Sequence, residues 1–176
     1  MPERGQSAVV VPVPAVESAV SHWRQRFDHS AAQGMPAHIT LLYPFLAERR
    51  LSDEVFAQLS VVCGQVGAFD VRFSQTGRFP GVLYLEPEPA DRLRALTLAI
   101  AGQWPEVQPY EGRFSEIVPH LTVALAEESA VLDEVEADLG PMLPLVATLD
   151  KAYVYVFDGV RWLGMTDLPL DGSGVS

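Results

Sequence analysis

Two periods of hydrophobicity divide the chain, and the change from one to the other marks its elements. The β-branched run 8–13 (AVVVPV) predicts a buried strand, with Pro12 placing it near a strand end or an edge. Val16, Ala19, Val20, Trp23 and Phe27 then recur every three or four residues, which is one face of a helix over about 16–27. DHSAAQGMP reads as loop. From Ala37 to Tyr43, Ile39, Leu41 and Tyr43 alternate with His38 and Thr40, so a strand is predicted with the polar pair on one face and the apolar set on the core face. Pro44 ends it. Ser52, followed by Asp53 and Glu54, predicts a helix start, and Val55, Leu59, Val62, Cys63 and Val66 supply its apolar face as far as Gly64 or Gly67. AFDVRFSQ alternates and predicts a strand.

The same order then begins again. GVLYLEP predicts a strand, ADRLRALTLAIAGQW an amphipathic helix, PYEGRFSEIV a polar loop, PHLTVAL a strand and ESAVLDEVEADLG a helix. PLVATLDKAYVYVF and VRWLGMTDL close the chain as strands, with Asp158-Gly159 between them as a hairpin signal. A duplication of about 80 residues follows from this order. The expected fold class is α+β, one bilobal domain of two pseudo-symmetric β-α-β-α-β lobes around a central cleft. Lobe one is expected over about 8–76 and lobe two over about 81–170, with flexible termini at 1–7 and 171–176.

The candidate chemistry lies at matching places in the two halves. His38-Ile39-Thr40 and His120-Leu121-Thr122 agree in residue type and element. Either triple alone reads best as a structural polar pair; agreement in element, register and repeat turns the reading towards chemistry. One imidazole of such a pair takes a proton from an attacking oxygen and the other gives one to the leaving oxygen, while the threonine hydroxyls donate to phosphoryl oxygens. A zinc site is disfavoured, since each strand offers one nitrogen and no cysteine or carboxylate cluster accompanies it. His22 and His29, in a helix and a loop, lack the pattern and are expected at the surface. No Gly-x-Ser-x-Gly elbow is present, and Cys63 falls within a helical pattern as a buried thiol.

Composition narrows the partners. With 176 residues, 48% hydrophobic and 20% charged, the chain is expected to fold as a globular protein, and the longest apolar run is too short and too rich in proline to span a membrane. The amino terminus does not resemble a signal peptide, and one cysteine suits a cytoplasmic location. A net charge of −11 argues against a long polyanion but leaves room for a small phosphorylated ligand.

HITL and HLTV, one per repeat, with YLEPEPADRLRAL before the second and YVFDGVRWLGMTDLPL at the end, resemble the two-histidine phosphoesterase superfamily, in its 2'-5' RNA ligase and cyclic phosphodiesterase branch. The resemblance implies cleavage of phosphodiesters, commonly 2',3'-cyclic phosphates of nucleotides or RNA ends, with no metal and no cofactor. His38 and His120 are then the catalytic acid–base pair and Thr40 and Thr122 the phosphate binders, which histidine is the base being left open. Some relatives carry a cation just after the motif, where Leu42 and Ala124 share the face here. Arg113 and Phe114, in the loop before the second motif, are candidate substrate contacts, and Tyr43 is one if Pro44 turns its ring to the cleft. Trp162 is expected to pack and Arg161 to be solvated. The expected partner is a small phosphorylated nucleotide or RNA 3'-end, without long nucleic acid or membrane, and the chain is expected to act as a monomer. A non-catalytic nucleotide-binding module and a 2'-5' RNA end ligase are the alternatives.

Overall fold

The structure, a computed structural model, describes residues 1–109 and 116–173. Its strands are β1 (Ser7–Pro12), β2 (His38–Leu42), β3 (Phe69–Phe79), β4 (Val82–Glu88), β5 (Leu121–Leu125), β6 (Leu145–Leu149), β7 (Lys151–Phe157) and β8 (Trp162–Pro169). Its helices are α1 (Glu17–Phe27), α2 (His29–Ala32), α3 (Asp53–Gly64), α4 (Asp91–Gln103) and α5 (Ser129–Leu139). Ser52 caps α3 as its sequence predicts, its hydroxyl accepting from the Val55 N–H.

Three local departures have physical causes. The expected loop after α1 contains α2, because the Asp28 carboxylate accepts from the Ser30 N–H and starts one helical turn. β3 runs on to Phe79, where Pro80 and Gly81 turn the chain directly into β4; Gly81 takes the left-handed φ of +74° that the turn needs. The expected single strand over PLVATLDKAYVYVF breaks at Asp150. Ala147 and Leu149 are buried before it and Ala152 and Val154 after it, so the alternation slips by one and the two pieces join different sheets.

Both sheets are antiparallel, in the orders β2-β1-β7-β8 and β5-β4-β3-β6. They correspond place by place, with a His-x-Thr strand at one edge of each. Hydrogen bonding assigns strands to sheets differently from the linear repeat. β3, within the expected lobe of 8–76, belongs to the second sheet because its tight turn pairs it with β4, whereas β7 and β8, within 81–170, return to the first sheet beside β1. Two helices are exchanged too: α1 packs against β5 and α4 against β2, whereas α3 packs against β8 of the first sheet and α5 against β4 and β5 of the second. One continuous core joins the two sheets, with Val9, Val11, Ile39 and Val154 from the first and Phe73, Leu83, Leu121 and Val123 from the second. Residues 5–7, counted with a flexible terminus, are held by backbone hydrogen bonds from Gly5 N to Phe157 O and from Phe45 N to Ser7 O.

Candidate active site

The edge strands β2 and β5 lie against each other, which brings the two motifs together although 82 positions separate them. In β2, Ile39 and Leu41 are buried while His38 and Thr40 are half-buried; in β5, Leu121 and Val123 are buried while Thr122 is half-buried. The alternation read from the sequence is therefore the one observed through each motif. Just beyond, it fails in the same way in both strands. Val9 pairs with Leu42 and Val10 with Thr40, and likewise Leu83 pairs with Ala124 and Tyr84 with Thr122. Leu41 and Val123 are thus extra residues, and each motif ends in a β-bulge. Thr97 of α4 donates to the carbonyl of Leu41 at 3.2 Å, giving that bulge carbonyl a partner.

The bulges reassign the residues that follow. Leu42 and Ala124, expected on the face of the motif, are in the shared core. The absence of a cation there consequently says nothing about what the cleft holds. Tyr43, expected on the core face unless Pro44 turned it, lines the cleft with His38 and Thr40, as does Leu125 at the equivalent place in β5. The Tyr43 hydroxyl donates to Gln6 Oε1 at 2.9 Å, and its ring meets the edge of Trp162 at 5.8 Å. Trp162 does pack, against Phe157, and it also forms part of the cleft wall. This cavity, on the His38 side of the paired strands, holds about 260 Å³; His120 and Thr122 are not among its described lining residues, and from β5 it is lined by Leu125. His29, exposed as expected but on α2 and not in a loop, stands at its rim. Arg113 and Phe114 lie outside the described residues.

Both imidazoles are held by the same bond. His38 Nδ1 lies 2.8 Å from the Pro36 carbonyl and His120 Nδ1 2.7 Å from the Val118 carbonyl, two residues back in each case. A carbonyl oxygen only accepts, so Nδ1 carries the proton and the lone pair of each neutral ring is on Nε2. Burial pushes the pKa of His38 down to about 4. The Arg24 guanidinium and a charge on His120 act in the same direction as burial within that net shift, while the Pro36 carbonyl and Asp28 oppose them. Burial also lowers His120, against the Val118 carbonyl. The two rings are thus close enough for the charge of one to act on the other.

Their surroundings differ. His120 is flanked by Phe79, edge-on at 5.0 Å, and by Tyr84 at 5.3 Å. Beside His38 lies a buried ionic group: Arg24, 1% exposed, donates to Asp28 at 3.2 Å and lies 3.7 Å from Glu17. Removing one partner from such a group typically costs about 3–5 kcal/mol. The arginine was not singled out in the sequence. Its signal was there: Glu17, Val20 and Arg24 recur at helical spacing along α1, Val20 and Arg24 on its buried face, and Asp28 follows at the next step as the residue that ends the helix.

A helix-backed pair of four-stranded antiparallel sheets meeting at edge strands with matched His-x-Thr motifs defines a bilobal, LigT-like phosphoesterase fold. Superposition gives a TM-score of 0.60 to Escherichia coli LigT complexed with 3'-AMP, at 20% identity over 96% of this chain and 99% of that one. TT0787 of Thermus thermophilus gives 0.63 at 16% identity over 96% and 99%. Usb1 of Kluyveromyces marxianus gives 0.51 at 16% identity over 95% and 99%. The chain belongs to the 2'-5' RNA ligase superfamily, whose family model matches residues 12–161. A relative in Geobacillus kaustophilus, "Putative phosphoesterase GK0864", is 25% identical over 123 residues; the match spans 65% of this chain and 65% of that protein, less than two thirds of its length. Among the described residues no helix is long and apolar enough to cross a membrane.

Proposed function

We propose that the protein is a metal-independent phosphodiesterase that hydrolyses a small cyclic phosphate, such as a 2',3'-cyclic nucleotide or the cyclic end of an RNA. The observation that carries this reading is the matched pair of imidazoles, each with Nδ1 committed to a carbonyl two residues back, on edge strands that lie against each other. His38, buried and beside the Arg24 guanidinium, which opposes a positive charge on its ring, stays neutral and is the base; its Nε2 takes a proton from the attacking water. His120 takes up a proton when the anionic phosphodiester arrives, since a nearby negative charge favours its charged form. The water oxygen bonds to phosphorus, the ester bond to one ribose oxygen breaks, and His120 Nε2–H protonates that oxygen, leaving a phosphomonoester. Thr40 and Thr122 donate to the non-bridging oxygens as charge builds on them.

The likeness to LigT supports a small nucleotide as the ligand, since that protein has been crystallised with 3'-AMP, ATP, NADP+ and phosphate. The test is turnover of a panel of 2',3'-cyclic nucleotides with and without chelator. Chelator is expected to leave the rate unchanged, while His38→Ala and His120→Ala each abolish most of it. Thr40→Val and Thr122→Val are expected to lower kcat by about 10²–10³-fold each, the usual loss on removing one donor to a developing oxyanion. Saturable binding without product would favour the nucleotide-binding module, and joining of a cyclic-phosphate end to a 5'-hydroxyl strand would favour the ligase.

A further inference from the structure

The segment before each motif is held by an arginine from a helix of the same half. Arg24 of α1 donates from Nη2 to the carbonyl of Met35 at 3.1 Å, and Arg94 of α4 donates from Nε to the carbonyl of Ile117 at 3.0 Å. Met35 and Ile117 each stand three residues before a motif histidine, and the next carbonyl along, Pro36 or Val118, is the one that receives Nδ1–H. Each guanidinium also pairs with an aspartate of its own helix or its cap, Arg24 with Asp28 in the buried group and Arg94 with Asp91 at the surface. In the first half Glu17 adds a second hold, its carboxylate accepting from the Ala37 N–H at 2.6 Å, so that Pro36 is pinned from both sides. Arginine suits the task because it keeps its charge at any working pH and presents several donors in a rigid fork.

We propose that Arg24 and Arg94 are paired positioning residues, each gripping the backbone three residues before a motif histidine so that the next carbonyl selects the Nδ1–H tautomer and frees Nε2 for the substrate. The inference rests on the reading of His38 and His120 as the acid–base pair, but the tautomer it predicts can be measured without turnover. The hydrogen bond made by one ring nitrogen decides the state of the other. A carbonyl that shifts when its arginine is removed therefore loosens both the tautomer and the aim of the ring. The two clamps differ in burial, Arg24 being 1% and Arg94 41% exposed. Arg94 can accordingly be replaced without opening the core, whereas at Arg24 the charge-preserving lysine is the safer change.

The experiment uses the full chain, labelled with 15N, and reads the imidazole nitrogens of His38 and His120 by NMR at neutral pH, with assignments from His38→Gln and His120→Gln. In the unmodified protein both rings are expected to show protonated Nδ1 and bare Nε2. Arg94→Gln is expected to turn His120 into a mixture of tautomers while leaving His38 unchanged, and Arg24→Lys to do the converse. Misplacing a reacting group by about 1 Å can cost up to about 10²-fold, so kcat for the cyclic nucleotide should fall by about 10–100-fold with KM within about threefold. Arg50→Gln, which breaks an exposed pair with Glu106, should leave both readouts alone. An unchanged His120 tautomer in Arg94→Gln overturns the proposal, as does a released tautomer with undiminished kcat. If the unmodified protein turns over no cyclic phosphate, the proposed function fails, and the tautomer response alone then decides whether the clamps exist.

Discussion

Gly77 of β3 sits opposite Tyr84 of β4, and the tyrosine ring lies across the space that a side chain at 77 would fill. A Cβ there would be 2.5 Å from Tyr84 Cζ and 2.6 Å from its Cε2 and Oη, well inside contact distance. The ring has little room to retreat: it is 7% exposed, 4.6 Å from the ring of Phe79 and 5.3 Å from that of His120. Gly77→Ala should therefore force the tyrosine against its neighbours, at about 1–3 kcal/mol for overpacking of this kind. Gly77 lacks a positive φ, so alanine brings no backbone strain and reduces the freedom of the unfolded chain, which returns about 0.4–1 kcal/mol. The net expectation is a loss of between about 0 and 2.6 kcal/mol, centred a little above 1. In a Tyr84→Ala background the obstruction is gone, and the same glycine change should become stabilising by about 0.4–1 kcal/mol. Urea unfolding of the four proteins at constant m measures this directly. Because the displaced ring packs on His120, Gly77→Ala should also lower kcat. If it costs the same, within about 0.5 kcal/mol, whether or not Tyr84 is present, the steric reasoning is wrong.

Three further expectations concern buried polar groups. The pKa of His38 is lower in the folded protein than in the unfolded chain, so between about pH 4 and 6.5 the unfolded chain binds more protons; stability rises with pH there and is lost as pH falls, by up to about 3 kcal/mol, and His38→Gln should flatten that part of a stability–pH curve. His120 is lowered too and adds in the same direction. Thr97→Val takes from the Leu41 bulge carbonyl its hydroxyl donor, so denaturant unfolding should show a loss of about 1–2 kcal/mol, and an unchanged midpoint would mean that another donor takes its place. Cys63 is fully buried, and burial pushes its thiol up to about 12, so a thiol reagent should modify it only after unfolding; rapid labelling of the native protein would contradict its placement.

Legibility from sequence differed among residues for identifiable reasons. The strand faces at His38–Thr40 and His120–Thr122 were readable because a period of two follows from each residue's own backbone geometry. The side taken by Leu42, Tyr43, Ala124 and Leu125 was not, because a bulge is an unequal count between two strands and the partner's count is invisible locally. Arg24 had a helical signal, but its carbonyl partner lies eleven residues away across a turn. The linear order of elements suggested where each half ends, yet hydrogen bonding placed β3 with the second sheet and β7 and β8 with the first.

What the chain determined by itself is the set of local choices: which segments become helices and strands, which face of each is apolar, and that two equivalent strands carry an imidazole and a hydroxyl side by side. These follow from backbone periodicity, capping and turn chemistry, all of which act over a few residues. Tertiary structure alone decided that the two edge strands lie against each other, that bulges rotate Tyr43 into the cleft, and that Arg24 and Arg94 reach the segments before the histidines. Those outcomes depend on pairings and packing between residues far apart in sequence, where the energy of a contact exists only once both partners have been brought to the same place.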